Sequence, residues 1–459
     1  MTPDDFRRHG HQAIDWIADF LADPTRYPVL PAVKPGELTD ALPAAGPDCG
    51  EPMEQIFADF ERLIVPATTH WNHPGFMAYF ANSSTGEGIL GELFAAALNS
   101  NGMLWKTSPA VTELEQVALR WLRQWSGLPQ EWFGLIYDTA STSSMHAIAA
   151  AREAADPDSR TKGARPGLVV YTSNQAHSSI EKGAIAVGIG QDNVRKIGVD
   201  DEYRMDVAAL RAAIDADLAA GLRPCCVSAT VGTTSTTSVD PVPAIADVCE
   251  RHGLWLHVDS AYAGSAAIVP ELRWAFEGCD RADSLVTNPH KWLMTPMDCS
   301  IFYTRRPEIL RRAFSLIPEY LQTAQDPRAV NLMDYGVPLG RRFRALKLWF
   351  ILRSFGREGL VEVIRKQVAM AQEFAREIDA HPSFERVAPA PFSVVNFRYR
   401  GTDDENRRIL EAVNASGEVF LSSTVLRGKY TLHLAVGNYG TKPEHVARAW
   451  ELLRKAAGV

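Results

Sequence analysis

The sequence predicts an α/β protein with a mainly parallel central sheet flanked by helices, and three observations carry that prediction. Short apolar runs at 168–171, 226–229, 254–258, 285–286 and 300–303 alternate with helical patterns such as 207–218 and 243–251, and strands alternating with helices imply crossover units whose sheet is buried on both faces. The chain has 459 residues, 46% of them hydrophobic and 22% charged, enough to bury a large interior in two or three domains. The polar and ionisable residues that interrupt this pattern sit just beyond strand ends, where open α/β sheets collect ligands.

Residues 1–85 read as a helical arm. A cap-like start at Thr2-Pro3-Asp4-Asp5 leads into an amphipathic helix with Phe6, Ile14, Ile17, Phe20 and Leu21 at helical spacing, followed by a proline-rich stretch from Pro28 to Pro52. Such a segment has little core of its own, so packing against a second copy of the chain is expected. Residues 86–360 hold the alternating pattern and form the expected large domain. Residues 361–459 form the expected small α/β domain, entered through a helical pattern at 359–378 and containing strand-like runs at 393–397 and 431–436.

Composition narrows the function. A formal charge of -8 and a pI near 5.9 give no footprint for nucleic acid, and no lysine or arginine run points to a membrane surface. The six cysteines, Cys49, Cys225, Cys226, Cys249, Cys279 and Cys299, show neither CxxC spacing nor histidine partners at zinc-finger intervals, so they are expected reduced. No signal peptide or membrane span is read, and the cytoplasm is the expected compartment. A small-molecule substrate follows.

The chemistry-bearing residues lie on consecutive strand ends. Asp259 closes the run Leu254-Trp255-Leu256-His257-Val258, and Thr234 follows the run ending at Val231. Asn288, His290 and Lys291 follow Leu285-Val286. A lysine amine can hold an aldehyde cofactor as a Schiff base, and a carboxylate beside a pyridine nitrogen keeps that nitrogen protonated and the ring electron-withdrawing. This pairing of Lys291 with Asp259 is the core of pyridoxal phosphate chemistry. Ala140 and Ser141 begin a helical run after Tyr137-Asp138-Thr139, and open N–H groups at a helix start bind phosphate. An ordinary Ser/Thr cap reads the same way in isolation. His177, in Asn174-Gln175-Ala176-His177-Ser178-Ser179 after the 168–171 run, can lie against a cofactor ring or simply be solvated. A metal hydrolase built from His257, Asp259 and His290 is the rival from another class, but their spacing matches no HExxH-type ligand motif, and no metal is implied.

On these residues the chain resembles the group II pyridoxal-dependent decarboxylases, and within them the aromatic L-amino acid decarboxylases. The resemblance is carried in order by Trp71-Asn72-His73-Pro74, Ala78-Tyr79-Phe80, Ser108-Pro109-Ala110-Val111-Thr112-Glu113, Ala140-Ser141, Ala176-His177-Ser178-Ser179, Gly232-Thr233-Thr234, His257 to Gly264, Asn288 to Leu293, Pro318-Glu319-Tyr320-Leu321 and Pro338 to Arg344. It implies the fold type I architecture and pyridoxal 5'-phosphate as cofactor. The implied roles give Lys291 the imine, Asp259 the pyridine nitrogen, His177 the ring face and Thr234 the ring's polar edge, with Ala140, Ser141, Asn288 and His290 on the phosphate side.

The same resemblance implies loss of the substrate's α-carboxylate as carbon dioxide, with electrons flowing into the conjugated ring. Tyr320 then matches the residue of a mobile loop that returns a proton to Cα; related aldehyde synthases carry phenylalanine there, so Tyr320 together with His177 points to an amine product. The implied substrate pocket maps to Trp71, Tyr79, Phe80, Ala81, Asn82, Asn101 and Met103, with Gly340 at the ring end. Its aromatic walls suit an aromatic side chain. Family members often carry proline and threonine where this chain has Ala81-Asn82, and an apolar residue where it has Asn101, so the ring chosen among tryptophan, tyrosine, phenylalanine and DOPA stays open. The family's dimers share active sites, and a homodimer is expected. An aldehyde synthase and a catalytically silent cofactor-binding protein are the remaining alternatives.

Overall fold

The computed structural model describes residues 1–316 and 329–459. Its centre is a seven-stranded sheet formed by β1 (Phe133–Tyr137), β2 (Leu168–Ser173), β3 (Val194–Ile197), β4 (Arg223–Thr230), β5 (Trp255–Asp259), β6 (Ser284–Thr287) and β7 (Ser300–Thr304), in the order β1-β7-β6-β5-β4-β2-β3. Pairings from β3 through β6 are parallel; β7 runs antiparallel to both β6 and β1. The central strands carry apolar residues on both faces because helices cover both: Tyr171, Val227 and Leu256 are buried on one face, and Val170, Cys226 and Trp255 on the other.

The two strands that apolar runs do not reveal, β1 and β3, are the sheet's edges. β3 reads Val194-Arg195-Lys196-Ile197, with charge at its centre, a usual property of an edge. β1 contains Gly134, where a side chain would meet Tyr303 and Leu119 at about 3 Å.

A second sheet, of four antiparallel strands ordered β10-β11-β9-β8, comprises β8 (Phe384–Arg386), β9 (Val394–Tyr399), β10 (Ser422–Leu426) and β11 (Lys429–Ala435). Its core of Val395, Phe397, Leu432 and Leu434 packs with Phe374 and Trp450 from the helices around it. The chain between the sheets, Arg344–Ala380, is helical on either side of Gly356, whose φ of 61° and ψ of 176° interrupt it. The helix thus starts fifteen residues before the 359 expected from periodicity. Its first turns lie close against the helix Gly86–Leu98, where a Cβ on Gly91 would come within 2.5 Å of the Lys347 Cα. The N-terminal helix Pro3–Ala22 is opened by a reciprocal Thr2–Asp5 capping box. No helix among the described residues is long and apolar enough to cross a membrane.

Candidate active site

A cavity of about 330 Å³ opens at the carboxyl ends of β2, β4, β5 and β6. It is lined by every residue assigned from sequence to the cofactor: Ala140, Ser141, His177, Thr234, Asp259, Asn288, His290 and Lys291. Parallel strands in register end together, so the segments that follow them converge on one rim.

Lys291 stands in the one-turn helix Pro289–Trp292 after β6. Its ammonium nitrogen lies 5.0 Å from the centre of the Phe80 ring. Phe80 stacks on Tyr262 at 4.0 Å, and Tyr262 on Trp292 at 4.6 Å. The three rings form a wall under the lysine, anchored where the Trp292 indole N–H donates to Gln367 at 2.6 Å. Burial pushes the Lys291 amine below the usual lysine range, against the opposing pull of the Asp259 carboxylate.

Asp259, at the end of β5 and buried, accepts the Ala261 N–H at 3.0 Å, while the Ala261 carbonyl accepts the Asn288 N–H at 2.9 Å. This pair of bonds ties the aspartate's turn to the lysine's strand end. Thr234 follows a turn that requires glycine: Gly232 has φ 86°, and a Cβ there would fall 2.7 Å from that of Ala263. His177 accepts the Ser179 N–H through Nδ1 at 3.1 Å. Burial lowers its pKa, Asp259 opposes that shift and Lys291 adds to it, so the ring is neutral and its remaining proton is on Nε2.

On the other side of the cavity the helix Ala140–Ala155 begins, with Thr139 as its cap. The first N–H groups of a helix have no intrahelical acceptor, which makes Ala140 and Ser141 suited to an anion. His290 accepts the Cys299 N–H through Nδ1 at 3.0 Å, and burial drives its pKa down to about 4; it therefore offers Nε2–H as a donor. Three buried polar atoms of cavity-lining residues, Asn288 Oδ1, Thr230 Oγ1 and Ser179 Oγ, have no hydrogen-bond partner among the described residues. Unpartnered polar atoms beside a helix start, a carboxylate and an amine suit a polar, phosphorylated ligand carrying a carbonyl and a ring nitrogen. Pyridoxal 5'-phosphate has that donor and acceptor set.

Of the residues assigned to the substrate, Tyr79, Phe80 and Asn82 line the cavity, and Asn82 reaches Met297 Sδ at 3.7 Å. The others do not line it. Trp71 stacks on Phe76 at 4.2 Å, and Ala81 is buried with Val29, Phe76 and Ala78. Asn101 accepts the Arg341 N–H at 3.0 Å beside Gly340, and the Met103 carbonyl accepts the Met333 N–H. Asn101 and Gly340 are exposed. Tyr320 lies outside the described residues. Tyr262 and Met297 line the cavity without having been singled out; Tyr262 was within reach of sequence reading, lying three residues after Asp259 among strand-end motifs.

Residues 35–400 match the family described as the pyridoxal-dependent decarboxylase conserved domain. The chain is 40% identical to a phenylacetaldehyde synthase of Arabidopsis thaliana, over 100% of this chain and 96% of that one. It is 39% identical to an aromatic-L-amino-acid decarboxylase of Catharanthus roseus, over 99% and 94%. A crystal structure of Oryza sativa TDC with PLP and tryptamine superimposes with a TM-score of 0.97 at 39% identity, covering 100% of this chain and 98% of that one.

Proposed function

This chain belongs to the pyridoxal-dependent decarboxylase family, and from that premise we propose that it converts an aromatic L-amino acid to the corresponding arylalkylamine and carbon dioxide. The observation that carries the reading is the meeting of the Lys291 amine, the Asp259 carboxylate and the helix start at Ala140 in one cavity walled by Phe80 and Tyr79. The bound cofactor supplies an electron sink conjugated to the substrate's α-carbon.

The residues around it divide the remaining work. Lys291, whose amine burial keeps below the usual lysine range, would anchor the cofactor through its carbonyl carbon, the position the substrate's amine would take over. Asp259 would keep a proton on the ring nitrogen. His290 through Nε2–H, Asn288 and the N–H groups of Ala140 and Ser141 would hold the phosphate, while neutral His177 and Thr234 would bound the ring. Phe80 and Tyr79 grip the substrate's side chain by stacking and apolar burial. Tyr320 serves as the general acid that protonates Cα, a type of step worth about 10²–10⁴-fold.

An aldehyde synthase is the second reading, favoured by the likeness to the Arabidopsis thaliana phenylacetaldehyde synthase; Tyr320 and His177 support the amine. Incubating the protein with tryptophan, tyrosine, phenylalanine and DOPA in turn decides between them. The expected result is stoichiometric amine and carbon dioxide without oxygen uptake. Aldehyde, ammonia and oxygen consumption would replace the reading with the synthase, and no release of carbon dioxide from any of the four would overturn both.

The working form is a cytoplasmic homodimer. The helix Gly86–Leu98 exposes Leu90, Leu93, Phe94 and Leu98 along its length, and the arm exposes Phe6, Ile14, Ile56 and Phe60, surfaces suited to burial against a second copy. In that assembly Asn101, Met103 and Gly340 serve the partner's cavity. An active monomer in the ultracentrifuge would contradict this.

A further inference from the structure

Three polar residues stand side by side across the four-stranded sheet: His433 on β11 is the register partner of both Ser422 on β10 and Asn396 on β9. All three are buried. The row ends against a segment from the far end of the chain. Ser422 Oγ accepts the Tyr79 N–H at 3.0 Å, and His433 Nε2 lies 3.2 Å from the Tyr79 carbonyl oxygen. Both backbone polar groups of Tyr79 are thus taken by this one cross-strand pair.

Tyr79 needs that grip, because its φ of 50° lies in the left-handed region that side-chain-bearing residues rarely adopt. His433 Nδ1 lies 3.2 Å from the Asn396 amide oxygen, and the Asn396 amide nitrogen is buried without a partner among the described residues. Burial keeps the imidazole neutral, so it has one N–H to give. A half-turn of the Asn396 amide lets its nitrogen donate to His433 Nδ1 and frees His433 Nε2–H to donate to the Tyr79 carbonyl, with the Ser235 backbone a further neighbour of the ring. The residue after Tyr79 is Phe80, whose ring stacks on Tyr262 and faces Lys291.

We propose that His433, oriented by Asn396 and paired with Ser422, is a positioning residue that locks Tyr79 in its left-handed conformation and so sets the Phe80 ring beneath Lys291. The four-stranded sheet thereby determines how the substrate's aromatic side chain is gripped. This deepens, and in its kinetic part rests on, the decarboxylase reading.

The test combines hydrogen–deuterium exchange with kinetics on the full-length, cofactor-loaded protein. In His433→Leu, amides of residues 77–82 should exchange about tenfold faster than in wild type, the size expected for leaving a buried carbonyl unpaired, while exchange in 168–173 and 394–399 is unchanged. KM for tryptophan or tyrosine should rise about tenfold with kcat within about threefold, because the reacting groups stay in place. His433→Gln, which keeps a donor, should restore both values to within about threefold of wild type.

Unchanged exchange at 77–82, or an increase shared equally by 168–173, overturns the proposal. If His433→Leu does not fold, Ser422→Ala decides the matter: faster exchange confined to 77–82 supports the clamp and unchanged exchange removes it. Should the wild-type protein decarboxylate none of the four amino acids, the functional reading fails while the exchange measurement still judges the clamp. Activity with unchanged exchange has the reverse meaning.

Discussion

Replacing Asp259 with asparagine isolates the charge at the end of β5 from the geometry it supports. The carboxylate's structural bond, to the Ala261 N–H at 3.0 Å, is one that an amide oxygen also accepts, so the Ala261–Asn288 link to the lysine's strand end survives the change. What disappears is one buried negative charge acting on Lys291 and His177, and with it the proposed partner of the cofactor's ring nitrogen. A hydrogen bond to a charged group contributes about 1.5–3 kcal/mol and a neutral one about 0.5–1.5. The difference, roughly 1–2 kcal/mol, corresponds to roughly 5–30-fold weaker cofactor binding at about 1.4 kcal/mol per decade. The rate of carbon dioxide release should fall further than the binding constant, because an unprotonated ring withdraws electrons less strongly as the carboxylate leaves. Cofactor titration by absorbance gives the first quantity and carbon dioxide release at saturating cofactor the second. An Asp259→Asn protein that keeps both within about twofold of wild type would refute the role given to the carboxylate.

Other outcomes follow from the same structure. Tyr320→Phe should retain the bound cofactor while its products shift from amine toward aldehyde, as product analysis reports; an unchanged amine yield removes Tyr320 from the mechanism. Glu115→Leu should destabilise the protein by about 3–5 kcal/mol in urea unfolding, because it strands the buried Arg341 guanidinium that now pairs with Glu115 at 2.8 Å. Acid should weaken the fold between about pH 6.5 and 4. Burial lowers His73, His257 and His290 to about 4 and His146 to about 3, so as pH falls the unfolded chain takes up protons that the native protein refuses, and stability is lost. Asp240, raised by burial to about 6, acts in the opposite sense over part of that window, but four histidines oppose one carboxyl. Thermal melts should therefore show Tm falling through this range, and a Tm that rises on acidification would contradict the assignment of neutral histidines.

How much of this was legible in the sequence depended on how local the cause was. The inner strands β2, β4, β5, β6 and β7 announced themselves because burial on both faces demands apolar runs, whereas β1 and β3, as edges, carry a close-packed glycine and two charges that break such a run. Lys291, Asp259, His177 and Thr234 were readable because Asp259 closes a strand and the other three lie in the short segments just beyond strand ends, and the parallel topology brings those ends together. Trp71 and Ala81 belong to the same sequence neighbourhood as Phe80 but turn away, into contacts with Phe76 and the small core at Val29; a left-handed residue at Tyr79 lies between them, and no periodicity foretells it. Nor does any local pattern reveal that Ser422 and His433, in the other sheet, hold that residue's backbone.

The central claim is that Lys291 is the amine that holds pyridoxal 5'-phosphate. Borohydride reduction of the cofactor-loaded protein, followed by proteolysis and mass mapping, tests it most directly. The account predicts a single pyridoxyl-modified peptide containing Lys291, and no modified peptide and no turnover in Lys291→Ala. Modification of a different lysine in either protein would contradict it.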